Sequence, residues 1–209
     1  PAMGEDVSQM AVVYPKQSGY GALLQNILPM YGLATYVAEK RKAGAHPLSR
    51  FILGALAAIS AGWRLSDILK CAQSGFLGLT QEALDRFCAY CEGADVRGEA
   101  MRKPFRYPKG VTEEALGALE ESRKQVMEPL LALQRGLQAA KTADDTIQAI
   151  LTLLESVHAY ETLEDMRDEL NAADLAAEAQ DCAQVWNAMM TTLDQLHTLL
   201  GGQAVLAKI

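Results

Sequence analysis

Cys88-Ala-Tyr-Cys91 has the spacing most suggestive of chemistry, because two thiols three residues apart can share a metal ion or cycle through a disulfide. The pair falls inside a helical pattern, not between a strand and a helix as a redox motif would. No second C-x-x-C and no H-x3-H partner accompanies it. The thiols therefore read as packing groups, with metal or redox chemistry as the alternative. Cys71 and Cys182 stand alone, and the four cysteines read as reduced cytosolic thiols. His46, His158 and His197 are scattered, with no i, i+4 partner to complete a metal site. Glu113-Glu114, Glu120-Glu121 and Asp144-Asp145 fall at helix starts or on solvent faces, where carboxylates cap and solvate. No G-x-x-x-x-G-K-[ST] loop cradles a phosphate, and no G-x-G-x-x-G turn is present. The residues thus assign no catalytic group and no metal ligand.

Two cationic clusters remain. Lys40, Arg41 and Lys42 precede His46-Pro47. Arg102, Lys103, Arg106 and Lys109 are interleaved with Phe105 and Tyr107. Cations can hold phosphates while aromatic faces stack bases, so these nine residues are the candidate nucleic-acid contacts. A solvated connection is the competing reading. Trp63 and Trp186 read as packing residues.

The elements that would carry these residues are mostly helices. Pro47 suits a first helical position, and Phe51, Ile52, Ala55, Leu56 and Ile59 form one apolar stripe ended by Gly62. Ser66 is placed to cap a short helix and Thr80 the next, with Leu84, Phe87, Cys88 and Cys91 inward. Residues 93–110 carry three glycines, two prolines and five basic residues, and read as a long loop. Thr112 before Glu113-Glu114 starts a long helix that Pro129 should kink. Thr142-x-x-Asp145 is a capping-box pattern, leading into Ile147, Ile150, Leu151, Leu154 and Val157 as a buried face. Thr162 is placed to cap a short helix. The last helix runs from about Leu175 to Leu200, with Cys182, Val185, Trp186, Met189, Leu193, Leu196 and Leu200 inward, and Gly201-Gly202 stops it.

The N-terminal part differs. Met10–Tyr14 and Leu33–Val37 are β-prone runs around a helical pattern that holds Leu23, Leu24, Ile27 and Leu28. The expected fold is mainly α: a multi-helix bundle with a small N-terminal strand–helix–strand appendage. Residues 1–8 read as a scar or disordered start, 9–45 as the partial α/β piece, 46–201 as the helical domain and 202–209 as a truncated tail. Two short strands cannot make a stable sheet alone, so the orphan strands suggest a piece of a longer protein.

Composition agrees with a packed helical domain. The 209 residues are 50% hydrophobic and 22% charged, but only 6% aromatic. No apolar run approaches the roughly 18 residues of a membrane span, and no basic segment followed by an apolar one marks a signal peptide. The net charge of −7 is unevenly placed. Residues 1–110 hold 13 Lys and Arg against 9 Asp and Glu, while residues 111–209 hold 6 against 17. The acidic half should repel a phosphate backbone, whereas the basic half can touch one.

The order of these features resembles one family. Ala11-Val-Val-Tyr14, Leu23-Leu24, Tyr31-Gly32-Leu33 and Tyr36-Val37 look like the opening of the second motor-like domain of superfamily 1 helicases. His46-Pro-Leu-Ser-Arg-Phe-Ile-Leu53, Gly62-Trp-Arg64, Asp67-Ile68 and Ser74-Gly-Phe-Leu-Gly-Leu79 resemble the B subunit of bacterial ATP-dependent helicase/deoxyribonucleases, of AddB or RexB type. Tyr90, Val96-Arg97-Gly98, Val185-Trp186-Asn187 and Leu193-Asp-Gln-Leu196 extend the likeness, which covers roughly residues 9–98 and 182–201.

The resemblance implies an excised piece holding the start of subdomain 2A and most of the helical insertion 2B. It implies a parent that works with an A subunit and DNA in the bacterial cytoplasm, resecting double-strand breaks for recombinational repair. ATP, Mg and an iron–sulfur cluster belong to that family, but its nucleotide-binding region and cluster cysteines match nothing here. This piece is therefore expected to be non-catalytic, without a cofactor, monomeric and away from membranes. The alternative is a free-standing helical adaptor that binds a protein through its acidic face. A thiol or metal enzyme at Cys88 and Cys91 is the third reading.

Overall fold

The computed structural model describes residues 10–15, 20–33, 35, 43–105 and 112–204. They divide into two units, residues 1–42 and residues 43–209.

In the first unit, α1 (Tyr20–Ile27) runs into a 3-10 turn at Leu28–Tyr31. Pro29 stands in the first turn of that 3-10 segment, and Gly32 closes it with φ +74°, its N–H donating to Pro29 O. The expected strands are not supported. Met10–Tyr14 has no ladder partner among the described residues, and Leu33 and Thr35 are not in a strand. The physical reason is the one that makes short strands weak: a strand is defined by the neighbour that takes its hydrogen bonds. The rest of the second run, residues 34, 36 and 37, lies outside the described residues.

The second unit is helical: α2 (Pro47–Ser60), α3 (Leu65–Ala72), α4 (Gln81–Gly93), α5 (Glu113–Ala139), α6 (Ala143–Ser156), α7 (Ala159–Ala172) and α8 (Ala176–Leu200). Local capping chemistry sets most of the starts. Thr80 and Thr112 accept the N–H groups of Ala83 and Ala115. Thr142 and Asp145 form the reciprocal capping box at α6. Two starts differ from the sequence reading. α3 begins at Leu65 after Arg64, one residue before the expected Ser66 cap. α7 begins at Ala159 after a left-handed His158, so Thr162 lies within the helix and donates to His158 O. Pro129 stands inside α5, and the helix continues through it.

α2 packs on α3, α5 on both α4 and α6, and α7 on α8, with α6 reaching α8. Phe51, Phe76, Phe87, Met101, Met127 and Leu130 are among the largest fully buried side chains. Two glycines allow close helix approach. A Cβ on Gly54 would sit 3.0 Å from Cys71 Sγ, and one on Gly136 would sit 2.9 Å from Ala149 Cβ. At the far end, Leu193 is buried, but Leu196 and Leu200 are about 40% exposed, against expectation. The end of α8 meets the start of α6 through backbone, Gly201 O and Gln203 O accepting the N–H groups of Asp144 and Ala143. Thr142 and Ala204 form an isolated antiparallel bridge beneath that end.

Candidate nucleic-acid interface

The loop after α4 starts from two left-handed residues, Asp95 and Gly98, at φ +49° and +58°. Gly98 N–H donates to Trp63 O at 3.0 Å, which ties the loop to the α2–α3 turn. Trp63 is itself left-handed at φ +64° and only 3% exposed, so it packs as expected. A 3-10 turn, Gly98–Arg102, follows and buries Met101 completely.

Beyond it the chain is pinned to α5 by a buried network. Arg123 donates from Nη1 to Met101 O at 3.3 Å and from Nε to Glu120 Oε2 at 2.8 Å. The same Glu120 oxygen accepts Phe105 N–H at 3.1 Å. The Arg123 guanidinium lies 6.0 Å from the centre of the Phe105 ring, within cation–π range. Glu120 is held below the usual carboxylate range, first by the Arg123 hydrogen bond and also by the Phe105 N–H.

This network sorts the candidate contacts. Arg102 and Lys103 are exposed, and Arg102 pairs with Glu99 at 2.8 Å. Phe105 does not offer a stacking face. It is 8% exposed, with its ring 4.6 Å from that of Tyr90 and 6.2 Å from that of Phe87. An aromatic at this position gains more from the core than from solvent, and the two N–H and carbonyl contacts to α5 fold it inward. Lys40, Arg41, Lys42, Arg106, Tyr107 and Lys109 lie outside the described residues.

Sequence reading missed two arginines here. Arg64 is exposed and flanks the Trp63–Gly98 bond on one side of the contact, as Arg97 does on the other. Thirty-three positions separate them in the chain; only the two left-handed turns bring their backbones together. Arg97 is held by Asp95. Arg123 carries the opposite lesson, because its helical register gave no hint that the loop would bury it.

The thiols do not form a second site. Cys88 and Cys91 lie in α4, and all four cysteines are free. Burial pushes the Cys71 and Cys91 thiols up to about 12, which keeps them protonated. Among the described residues no three His, Cys, Asp or Glu side chains gather as a metal site. Among the described residues, no set of thiols or carboxylates gathers that would hold an iron–sulfur cluster or a phosphate-bound magnesium. No described helix is long and apolar enough to cross a membrane.

Fold and surface thus define a helical bundle whose cationic loop is anchored to its core. The chain is similar along nearly its whole length to proteins named as the B subunit of an ATP-dependent helicase/deoxyribonuclease. With the protein of Clostridium botulinum (strain Loch Maree / Type A3) it shares 22% identity over 95% of this chain. With that of Acetivibrio thermocellus it shares 25% over 93%, and with that of Bacillus velezensis 25% over 95%. The resemblance read from the sequence holds, and it extends through the middle residues that the motifs left uncovered. The chain spans 18% to 19% of the length of these relatives. No protein-family model matches the chain.

Proposed function

We propose that this chain is a non-catalytic helical part of the B subunit of a bacterial ATP-dependent helicase/nuclease. In that setting it helps shape the DNA path of a complex that resects double-strand breaks for recombinational repair, alongside an A subunit. The observation that carries this reading is the span of the similarity: 93% to 95% of the chain aligns with subunits that share one name. The helical bundle, the thiols held protonated and the lack of any phosphate-cradling motif are consistent with a structural role. ATP hydrolysis and strand cleavage belong to other parts of the parent.

The exposed cations Arg64, Arg102 and Lys103, together with Lys40, Arg41, Lys42, Arg106 and Lys109, are the residues proposed to meet DNA phosphates. The anchoring of Met101 and Phe105 to α5 supports this, because it fixes the backbone on both sides of the exposed Arg102 and Lys103. The test is the coding sequence on both sides of this chain. A reading frame roughly five times this length is expected, with a nucleotide-binding segment upstream and a cysteine-bearing nuclease segment downstream. A frame that closes near these residues overturns the reading.

A further inference from the structure

The surface of α7 and α8 is chemically unlike the cationic loop. Residues 159–200 hold nine Asp and Glu against a single Arg, Arg167. Between the two helices lies a shallow cleft of about 90 Å³, lined by Tyr160, Glu164, Arg167, Cys182, Trp186 and Asn187 among others. Its volume is far below the roughly 300 Å³ of a small-molecule site, so it has room for the end of one side chain. Tyr160 and Trp186 meet edge to face in it, with ring centres 5.2 Å apart, and Tyr160 is 47% exposed. Tyr160 Oη donates to Glu164 Oε1 at 3.2 Å, which holds a carboxylate beside the rings. Arg167, the one cation present, is already engaged by Glu164 at 3.4 Å and by Asp168 at 3.1 Å.

Two electron-rich rings beside the Glu164 carboxylate, on a surface with nine acids to one arginine, form a receptor for a cation. The ring faces attract it through their quadrupoles, and the surrounding negative field raises its local concentration. The same field repels a phosphate backbone. Aromatic-lined pockets that admit one side chain are the usual anchor points of protein interfaces. We propose that the α7–α8 cleft is a docking site for a lysine- or arginine-bearing segment of a partner protein. This inference stands apart from the repair assignment, because it rests on the charge and geometry of α7 and α8 alone.

The experiment is a nuclear magnetic resonance titration of the full ¹⁵N-labelled chain with a short peptide of alternating arginine and serine. The matched glutamate–serine peptide and a thymidine oligonucleotide are the controls. The arginine peptide should shift the Trp186 indole N–H and the amides of Tyr160–Arg167 and Cys182–Asn187, leaving the Trp63 indole in place. Tyr160→Ala should weaken binding about two- to fivefold. Asp168→Lys, which keeps both rings, should weaken it as well, and added salt should do the same. Circular dichroism verifies that both variants fold. Shifts that avoid the Trp186 indole, or binding unchanged in Tyr160→Ala, would reduce the site to diffuse charge attraction and overturn the proposal. Shifts of these signals by the oligonucleotide would overturn it in favour of nucleic acid. No shift with any probe would also overturn it.

Discussion

Arg123 and Glu120, one turn apart on α5, hold the loop that follows α4 by gripping its backbone. Arg123 donates to Met101 O and Glu120 accepts Phe105 N–H, while the ion pair between them is largely withdrawn from water. Arg123 is only 7% exposed. A buried cation of this kind is tolerable because each of its three nitrogens donates to a fixed acceptor.

Arg123→Met should therefore destabilise the bundle by about 3 kcal/mol, since it leaves Glu120 and Met101 O without their partner. That is the lower end for a buried pair, because Glu120 keeps some contact with solvent. Urea unfolding followed by circular dichroism measures it. A change under about 0.5 kcal/mol would place the pair with ordinary surface pairs.

Acid should weaken the same clip. Glu120 is held below its ordinary value in the folded chain, so its contribution is present above the unfolded carboxylate range and is lost as pH falls through the folded value. Stability should decline from about pH 4.5 downward. Glu120→Gln should flatten part of that decline, which unfolding curves at several pH values would read directly.

His197 and Asp144 meet across the start of α6 and the end of α8 at 2.6 Å. The Asp144 hydrogen bond raises the His197 imidazole above its usual value. A raised value makes the pair stabilising below the unfolded imidazole range, with the effect lost as pH climbs through the folded value. Ring-proton titration should place His197 above about 6.5 in the native chain, and Asp144→Asn should lower it.

Gly201 makes the same junction possible. A Cβ there would lie 2.6 Å from both Asp144 Oδ1 and His197 O, and the carbonyl belongs to the helix backbone. Gly201→Ala should cost about 1–3 kcal/mol, the usual penalty of forced overpacking, and should lower the thermal midpoint. An unchanged midpoint would mean that the α8 end yields freely.

DNA binding by the isolated chain should be weak, with non-specific dissociation constants of roughly 10⁻⁴ M or worse, and should fall steeply with salt. Fluorescence anisotropy at two salt concentrations tests this. Replacing Arg102, Lys103 and Arg106 with Ala should remove whatever binding is seen. Salt-insensitive binding, or binding indifferent to that triple change, would make the loop an ordinary solvated connection. The pure chain should neither hydrolyse ATP nor cut DNA.

The helices from α2 to α8 were legible in the sequence because their signals are local. Thr80, Thr112 and the Thr142–Asp145 box act on N–H groups within three residues, and apolar stripes repeat within single turns. The β-prone runs misled because β-propensity reports a fit to neighbouring strands, and Met10–Tyr14 has none among the described residues. Phe105 and Arg123 were equally opaque. Phe105 was read as a stacking face, and nothing local marked Arg123, because the contacts that bury them, to Glu120 and Met101, span 15 and 22 residues. Gly98 bonded to Trp63 across 35 residues, and His197 on Asp144 across 53, are facts of the same kind. Periodicity and capping decided which segments coil. Tertiary packing alone decided which charges are buried, because burial depends on what the rest of the chain lays over a residue.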